Sequence, residues 1–252
     1  MAYADDLALL APDRSTLQKM VDVCEQYGKE HNLVFSTDAN PSKSKTKCVY
    51  FCGSNKRDYP PAIMLDKEAL PWVEKVEHLG HILQQNLSMD ADANRARGSF
   101  MSKASDIRDN LYFAHPDQKI HAIQLYCCNG YGSMLWDLKS SYAESYFKAW
   151  NVQARLAWRV PRETHTNLVE GFLCKDYYSL RKQILSRFSG FARGLSESPS
   201  KEIRFMFCLI KGDQRSVTAK NITYLNDLCK CNALNRTGWK ILEMLMSVFV
   251  LF

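Results

Sequence analysis

Apolar residues return at helical spacing early in the chain, at Leu17, Met20, Val21, Cys24 and Tyr27. One face of an amphipathic helix carries them. Ser15 and Gln18 have capping-box spacing and predict its start, and it ends near Asn32. Ahead of it, residues 1–10 read as two short apolar strands flanking Asp5-Asp6. After it, Leu33-Val34-Phe35 begins an extended stretch, and Asn40-Pro41-Ser42-Lys43-Ser44-Lys45 is a polar, basic loop. Lys47 to Cys52 is rich in β-formers and predicts a strand. Pro60-Pro61 breaks the chain. Ala62-Ile63-Met64-Leu65 and Val73 to Leu83 predict further strands, with Gly80 at a bend.

From Met89 the period becomes helical. Ala93, Ala96, Phe100, Ala104, Ile107 and Leu111 share one face of a long helix. Pro116 opens a second helix with Ile120, Ile123, Cys127 and Tyr131. Ser141 caps a third, which turns Ala143, Tyr146, Phe147, Trp150, Ala154 and Ala157 inward and stops at Pro161. More helices are expected around Leu168, from Tyr177 to Leu195, from Ile203 to Lys211 and from Val217 to Trp239. The fold class is α+β: residues 1–88 mix strands and a helix, residues 89–160 are helical, and residues 161–252 form a helical region of unknown role.

Composition fits this picture. Hydrophobic residues make up 46% and charged residues 24% of the 252, so the chain can bury a core. The net charge of +6 permits nucleic-acid contact, because Lys and Arg displace counterions from phosphates, without requiring it. Nine cysteines show no disulfide spacing and read as reduced, mostly buried thiols. The start of the chain has neither a basic n-region nor an apolar h-region. The apolar run Met244 to Phe252 is far shorter than the roughly 20 residues of a membrane span. An intracellular protein, nuclear or cytoplasmic and not membrane-bound, is therefore expected.

The chemistry concentrates in Tyr3-Ala4-Asp5-Asp6. Two adjacent carboxylates at a tight turn repel each other, and desolvation adds to the cost. A divalent cation relieves that conflict. Mg2+ takes oxygen ligands and leaves room for substrate phosphates. The tetrapeptide alone is weakly specific, and a polar turn with Asp5 or Asp6 as a cap explains it equally.

The order of segments adds specificity. Tyr3-Ala4-Asp5-Asp6-Leu7 is followed by the helix over Leu17 to Tyr27 and then by Lys45-Thr46 ahead of an apolar strand. Val76-Glu77-His78-Leu79-Gly80-His81-Ile82-Leu83 comes next. In this order the chain resembles the reverse transcriptases of non-LTR, LINE-type retrotransposons, Jockey-like clades in particular. The specific likeness covers about the first third of the chain and a looser one about two thirds.

The resemblance implies the C-terminal part of a polymerase palm with a primer-grip hairpin, then a helical thumb. It implies an RNA-directed DNA polymerase, a nucleotidyltransferase that takes an RNA template, a DNA primer and dNTP, with Mg2+ as cofactor. Asp5 would be a direct metal ligand and Asp6 the second carboxylate. Tyr3 would lie under the primer terminus. Lys45 would stand near the triphosphate as a proton donor to pyrophosphate, although Lys43, Lys45 and Lys47 read equally as a solvated basic turn. Leu79 and Gly80 would shape the primer grip.

The family also needs a third carboxylate and fingers upstream of the Tyr-x-Asp-Asp turn. A chain beginning two residues before Tyr3 is thus expected to be a fragment, inactive alone, with exposed strand edges and weak stability. Two other readings stay open: a non-catalytic module gripping a primer–template duplex, and a helical interaction protein.

Weaker signals have plain readings. Cys127-Cys128 and Cys229-Lys230-Cys231 lack zinc-site spacing. Cys48 and Cys52 read as core thiols. His78 and His81 flank the bend as surface or primer-proximal groups. Arg95, Arg97, Lys103 and Arg108, with Asp90, Asp92, Asp106 and Asp109 between them, read as a mixed solvated face. Trp136, Trp150 and Trp158 read as packing anchors.

Overall fold

The computed structural model describes residues 2–3, 6–38, 40, 43–51, 59–169, 171 and 180–230. They are mostly helical, with short antiparallel hairpins confined to the N-terminal part, which makes the fold α+β. The chain divides into two compact units, Met1–Ala91 and Asp92–Phe252. Among the described residues no helix is long and apolar enough to cross a membrane.

In the first unit, β1 (Ala2–Tyr3) pairs with β2 (Asp6–Leu7). Helix α1 (Arg14–Glu30) follows. Its N-cap is Asp13, not the expected Ser15. The Asp13 carboxylate accepts from Thr16 N at 2.9 Å, from the Ser15 hydroxyl at 2.7 Å and from the Thr16 hydroxyl at 2.8 Å. Ser15 therefore serves the cap as a donor. Those bonds, the Ser15 hydroxyl foremost, hold the Asp13 carboxyl down at about 2. A lowered folded-state pKa contributes stability above the ordinary carboxylate range, and that stability is lost as pH falls through the folded value. The start of α1 should thus keep its cap down to pH 4 and lose it between about pH 4 and 2. A carboxyl carbon-13 titration of Asp13 checks this; a midpoint near 4 would contradict it.

Val21 and Gly28 are the buried positions of α1. Tyr27, expected inward, is exposed. Gly28 takes its place because Leu33 N donates back to its carbonyl at 2.8 Å. The returning segment brings the Phe35 ring to 3.0 Å from where a Cβ on residue 28 would stand. Val21, Cys48, Ile63, Leu65 and Leu70 form a small core, with Leu9, Leu17, Phe35 and Trp72 packed around it. Gln18 ties α1 to the following hairpin, accepting from Met64 N and donating to Met64 O.

The strand expected over 47–52 is reduced to one parallel bridge between Cys48 and Trp72. Cys48 N donates to Pro71 O and Val73 N to Cys48 O. A segment paired at one residue does not extend into a strand, however β-prone its side chains. Cys52 lies outside the described residues. Two hairpins follow. In the first, β3 (Met64–Leu65) pairs with β4 (Glu68–Ala69); in the second, β5 (Lys75–His78) pairs with β6 (His81–Gln84). The three hairpins are separate two-stranded sheets, not one continuous sheet.

The second unit holds α2 (Asp90–Asn110), α3 (Pro116–Cys127), α4 (Ser141–Trp158), α5 (Thr166–Leu168), α6 (Leu180–Ser196), α7 (Lys201–Gly212) and α8 (Val217–Lys230). The inward face expected for the third long helix is buried at every named position from Ala143 to Ala157. Its N-cap is Ser140, whose hydroxyl accepts from Ala143 N, one residue before the expected Ser141. Ile120, Ile123 and Cys127 are buried on α3, while Tyr131 falls beyond the helix and is exposed. On α2, Phe100, Ala93 and Ala104 are buried, and so is Asp92, an acid expected on the solvated face. The start expected at Tyr177 and the end expected at Trp239 lie outside the described residues.

Polar side chains knit this unit together. Buried Trp136 donates from Nε1 to Asp92 Oδ2 at 2.9 Å, and Arg95 donates to the other carboxylate oxygen at 2.9 Å. Asn221 of α8, with 0% exposure, accepts from Leu138 N at 2.9 Å and donates to Trp136 O at 2.8 Å. Arg181 of α6 bonds Glu144 of α4 and the Tyr224 hydroxyl of α8, with its guanidinium over the Phe147 ring. Arg155 of α4 holds the next segment by donating to Thr164 O at 3.0 and 2.7 Å.

Candidate nucleic-acid and metal interface

The proposed metal turn lies at the end of the β1–β2 pairing, where Tyr3 stands opposite Asp6; residues 4 and 5 are outside the described residues. Asp6 belongs to the second strand, whereas the expectation placed both acids between the strands. Its carboxylate is exposed, and no ion pair among the described residues engages it. Asp5 and the Tyr3 side chain lie outside the described residues. A carboxylate offers hard oxygen donors, the kind Mg2+ selects, so the chemistry of Asp6 fits that ion. Among the described residues no three or more His, Cys, Asp or Glu side chains gather into a metal cluster.

Lys45 is exposed on the loop before the Cys48–Trp72 bridge. Its backbone neighbours are fixed: Ser44 Oγ donates to Thr46 O at 2.6 Å, and Thr46 N donates to Ser36 O at 3.2 Å. The loop therefore presents the lysine from an anchored base, and the neighbouring Ser44 is buried.

Leu79 and Gly80 form the two-residue tip of the β5–β6 hairpin, with His78 opposite His81. Both tip residues have positive φ, +48° for Leu79 and +74° for Gly80. That is the I′ pattern, whose twist suits a two-residue hairpin and which favours Asn-Gly. Glycine takes it freely; leucine pays roughly 1–2 kcal/mol for its Cβ. Leu79→Asn should therefore raise the stability of the first unit by about 0.5–1 kcal/mol. Urea denaturation measures it, and a loss of stability would show that the leucine side chain contributes packing worth more than the strain. The same pattern recurs at Asp66 and Lys67, between β3 and β4.

The structure thus assigns Asp6 and Leu79-Gly80 to two different two-stranded sheets and Lys45 to a loop of the same unit. On the first thumb-like helix, the basic residues divide. Arg95 is committed to buried Asp92, and Arg108 donates to Ser105 Oγ at 2.9 Å, whereas Arg97 and Lys103 are exposed. Asp92 is the residue that sequence reasoning missed. Its signal was the Asp-x-x-Arg spacing in the first turn of a helix, which the charge alternation along that face masked.

Three of the described cysteines behave as core thiols, whereas Cys24 is half-buried and Cys208 is exposed. Cys48, Cys127 and Cys128 are buried and free. Burial pushes the Cys48 thiol up to about 11 and the Cys128 thiol up to about 12, so neither is a ready thiolate at neutral pH. Cys231 and the Cys229 side chain lie outside the described residues. Of the three tryptophans read as anchors, Trp136 and Trp150 are fully buried, while Trp158 is half-buried and meets the His115 ring edge-on.

No protein-family model, no curated protein and no solved structure matches this chain significantly.

Proposed function

We propose that this chain is part of an RNA-directed DNA polymerase of the retrotransposon type, carrying the palm end with its Asp5-Asp6 turn, the Leu79-Gly80 primer grip and a helical thumb. The observation that carries this reading is the β1–β2 hairpin. Its last pair is Tyr3 and Asp6, and the exposed carboxylate of Asp6 stands there, next in sequence to Asp5. An amphipathic helix, an anchored lysine loop and a positive-φ Leu-Gly hairpin then follow in the order that the resemblance implies.

Asp5 and Asp6 are the residues that would hold Mg2+, which when bound supplies charge neutralisation at the phosphoryl oxygens of the incoming nucleotide. Lys45 would offer an ammonium proton to the leaving pyrophosphate. Leu79 and Gly80 would meet the primer through backbone brought close by the tight turn. Arg97 and Lys103 would face phosphates of the duplex. The partners are an RNA template paired with a DNA primer, and dNTP.

The test is binding of a fluorescent DNA primer on an RNA template, at low salt, with and without Mg2+. Tighter binding with Mg2+ in the wild-type chain, and no such gain in Asp5→Ala, is the expected result. Equal binding with and without Mg2+ would overturn the polymerase reading in favour of a non-catalytic duplex-binding module. No binding at low salt would leave a helical interaction protein.

A further inference from the structure

We propose that the turn between α2 and α3 is a stacking platform for single-stranded nucleic acid, formed by Phe113 and Tyr112 beside the cations of Arg159 and Lys119. The inference rests on the nucleic-acid reading above but uses none of its residues.

Leu111 to Ala114 form a tight turn, closed by Ala114 N donating to Leu111 O at 2.9 Å. The turn leads into α3, whose first turn is locked by a reciprocal cap between His115 and Gln118. A connection fastened at both ends offers a fixed surface. On it the Phe113 side chain is 98% exposed. Such a ring is ordinarily buried, and leaving it in water forgoes its hydrophobic stabilisation. It stands edge-on to the Tyr112 ring, with centroids 5.0 Å apart.

Two cations approach the Tyr112 ring. The Arg159 guanidinium lies 5.2 Å and the Lys119 ammonium 5.9 Å from its centroid. Lys119 is only 6% exposed, and its ammonium donates to Tyr112 O at 2.9 Å. Among the described residues no carboxylate pairs with it, so a largely buried positive charge lacks an anion. Arg159 follows α4 with φ +54°, a conformation that glycine takes without strain. An arginine held there is strained by its Cβ, and the side chain so placed lies over Tyr112. The Asp117 carboxylate stands 3.4 Å from His115.

The exposed Phe113 ring packs on Tyr112, over which the exposed Arg159 guanidinium lies, which matches the two demands of a single strand: a face for an unpaired base and a charge beside it for its phosphate. A duplex hides its base faces and cannot use the ring in that way. An acidic protein segment would use the cations but gain little from the bare ring face.

The test is fluorescence anisotropy of labelled oligo(dT) with the full chain. Phe113→Ala should weaken binding about tenfold, from the typical stacking energy of one base, and Phe113→Tyr should restore it. Arg159→Gly suits the backbone there and should lower the salt slope by about 0.7, one phosphate contact. Undiminished oligo(dT) binding by Phe113→Ala, or stronger competition by polyglutamate than by unlabelled oligo(dT), would overturn the proposal. Phe113→Ala should keep its Mg2+-dependent affinity for the primer–template duplex. Loss of single-strand binding by the wild-type chain with that duplex response intact overturns this inference alone. Loss of the Mg2+ response with the Phe113 effect intact overturns the polymerase reading alone.

Discussion

Trp136→Phe should destabilise the helical unit by about 3 kcal/mol, whereas Trp150→Phe should cost about 1 kcal/mol. Both indoles are fully buried, so a burial argument alone predicts equal losses. Their N–H groups separate them. Trp136 Nε1 donates to the Asp92 carboxylate, which is itself 1% exposed. Phenylalanine would remove a bond to a charged acceptor, worth about 1.5–3 kcal/mol, from a carboxylate that water cannot reach. It would also loosen the edge-to-face packing of Trp136 on Tyr146, whose centroids are 5.2 Å apart. Trp150 Nε1 is buried with no hydrogen-bond partner among the described residues. Its removal relieves an unsatisfied donor, which offsets part of the lost volume. Urea denaturation of the two variants gives the comparison. Equal losses would show that Asp92 finds other donors once the indole is gone.

Asn221→Ala should cost about 3 kcal/mol, an unusually large loss for a polar helix residue. Its amide group accepts from Leu138 N and donates to Trp136 O, so one side chain satisfies two buried backbone groups of the segment between α3 and α4. Alanine strands both, each at about 1–3 kcal/mol. Asn221→Asp tests the same geometry differently: it keeps the acceptor for Leu138 N but places a charged oxygen against the Trp136 carbonyl. It should therefore be at least as damaging as alanine at neutral pH. A loss below about 0.5 kcal/mol for Asn221→Ala, typical of a surface site, would show that α8 is not held by this residue.

These two cases show where sequence reasoning stopped. The helix faces of α2, α3 and α4 were readable because their apolar residues keep a 3.6 period, and the structure buries most of them. The Leu79-Gly80 hairpin was readable from one glycine between alternating apolar residues. Asp92 and Asn221 were not readable, because a polar residue on a helix looks solvated until the partner that buries it is known. Trp136 and Asp92 are 44 residues apart, and Asn221 is 83 from Leu138. Local pattern carries no trace of such pairings. The strand expected over 47–52 fell short for a related reason: β-prone side chains do not supply a partner, and among the described residues this segment makes one bridge, to Trp72.

The candidate site divides in the same way. Its tight hairpins were legible, because turn chemistry is local. The Phe113 platform was not, since a Tyr-Phe pair after a helix reads as the end of an apolar face. Only tertiary structure reveals that the Phe113 ring stands almost wholly in water while Arg159, 47 positions after Tyr112, lies over the Tyr112 ring.

Everything proposed about catalysis depends on the β1–β2 turn holding a divalent cation against nucleic acid. Mn2+, which takes the same oxygen ligands, reports that directly through paramagnetic broadening of nearby NMR signals. With a DNA primer on an RNA template present, Mn2+ should broaden the resonances of Tyr3 to Leu7 first, and Asp5→Ala should abolish that selectivity. Broadening that begins elsewhere, or that is the same in the Asp5→Ala chain, would contradict the account.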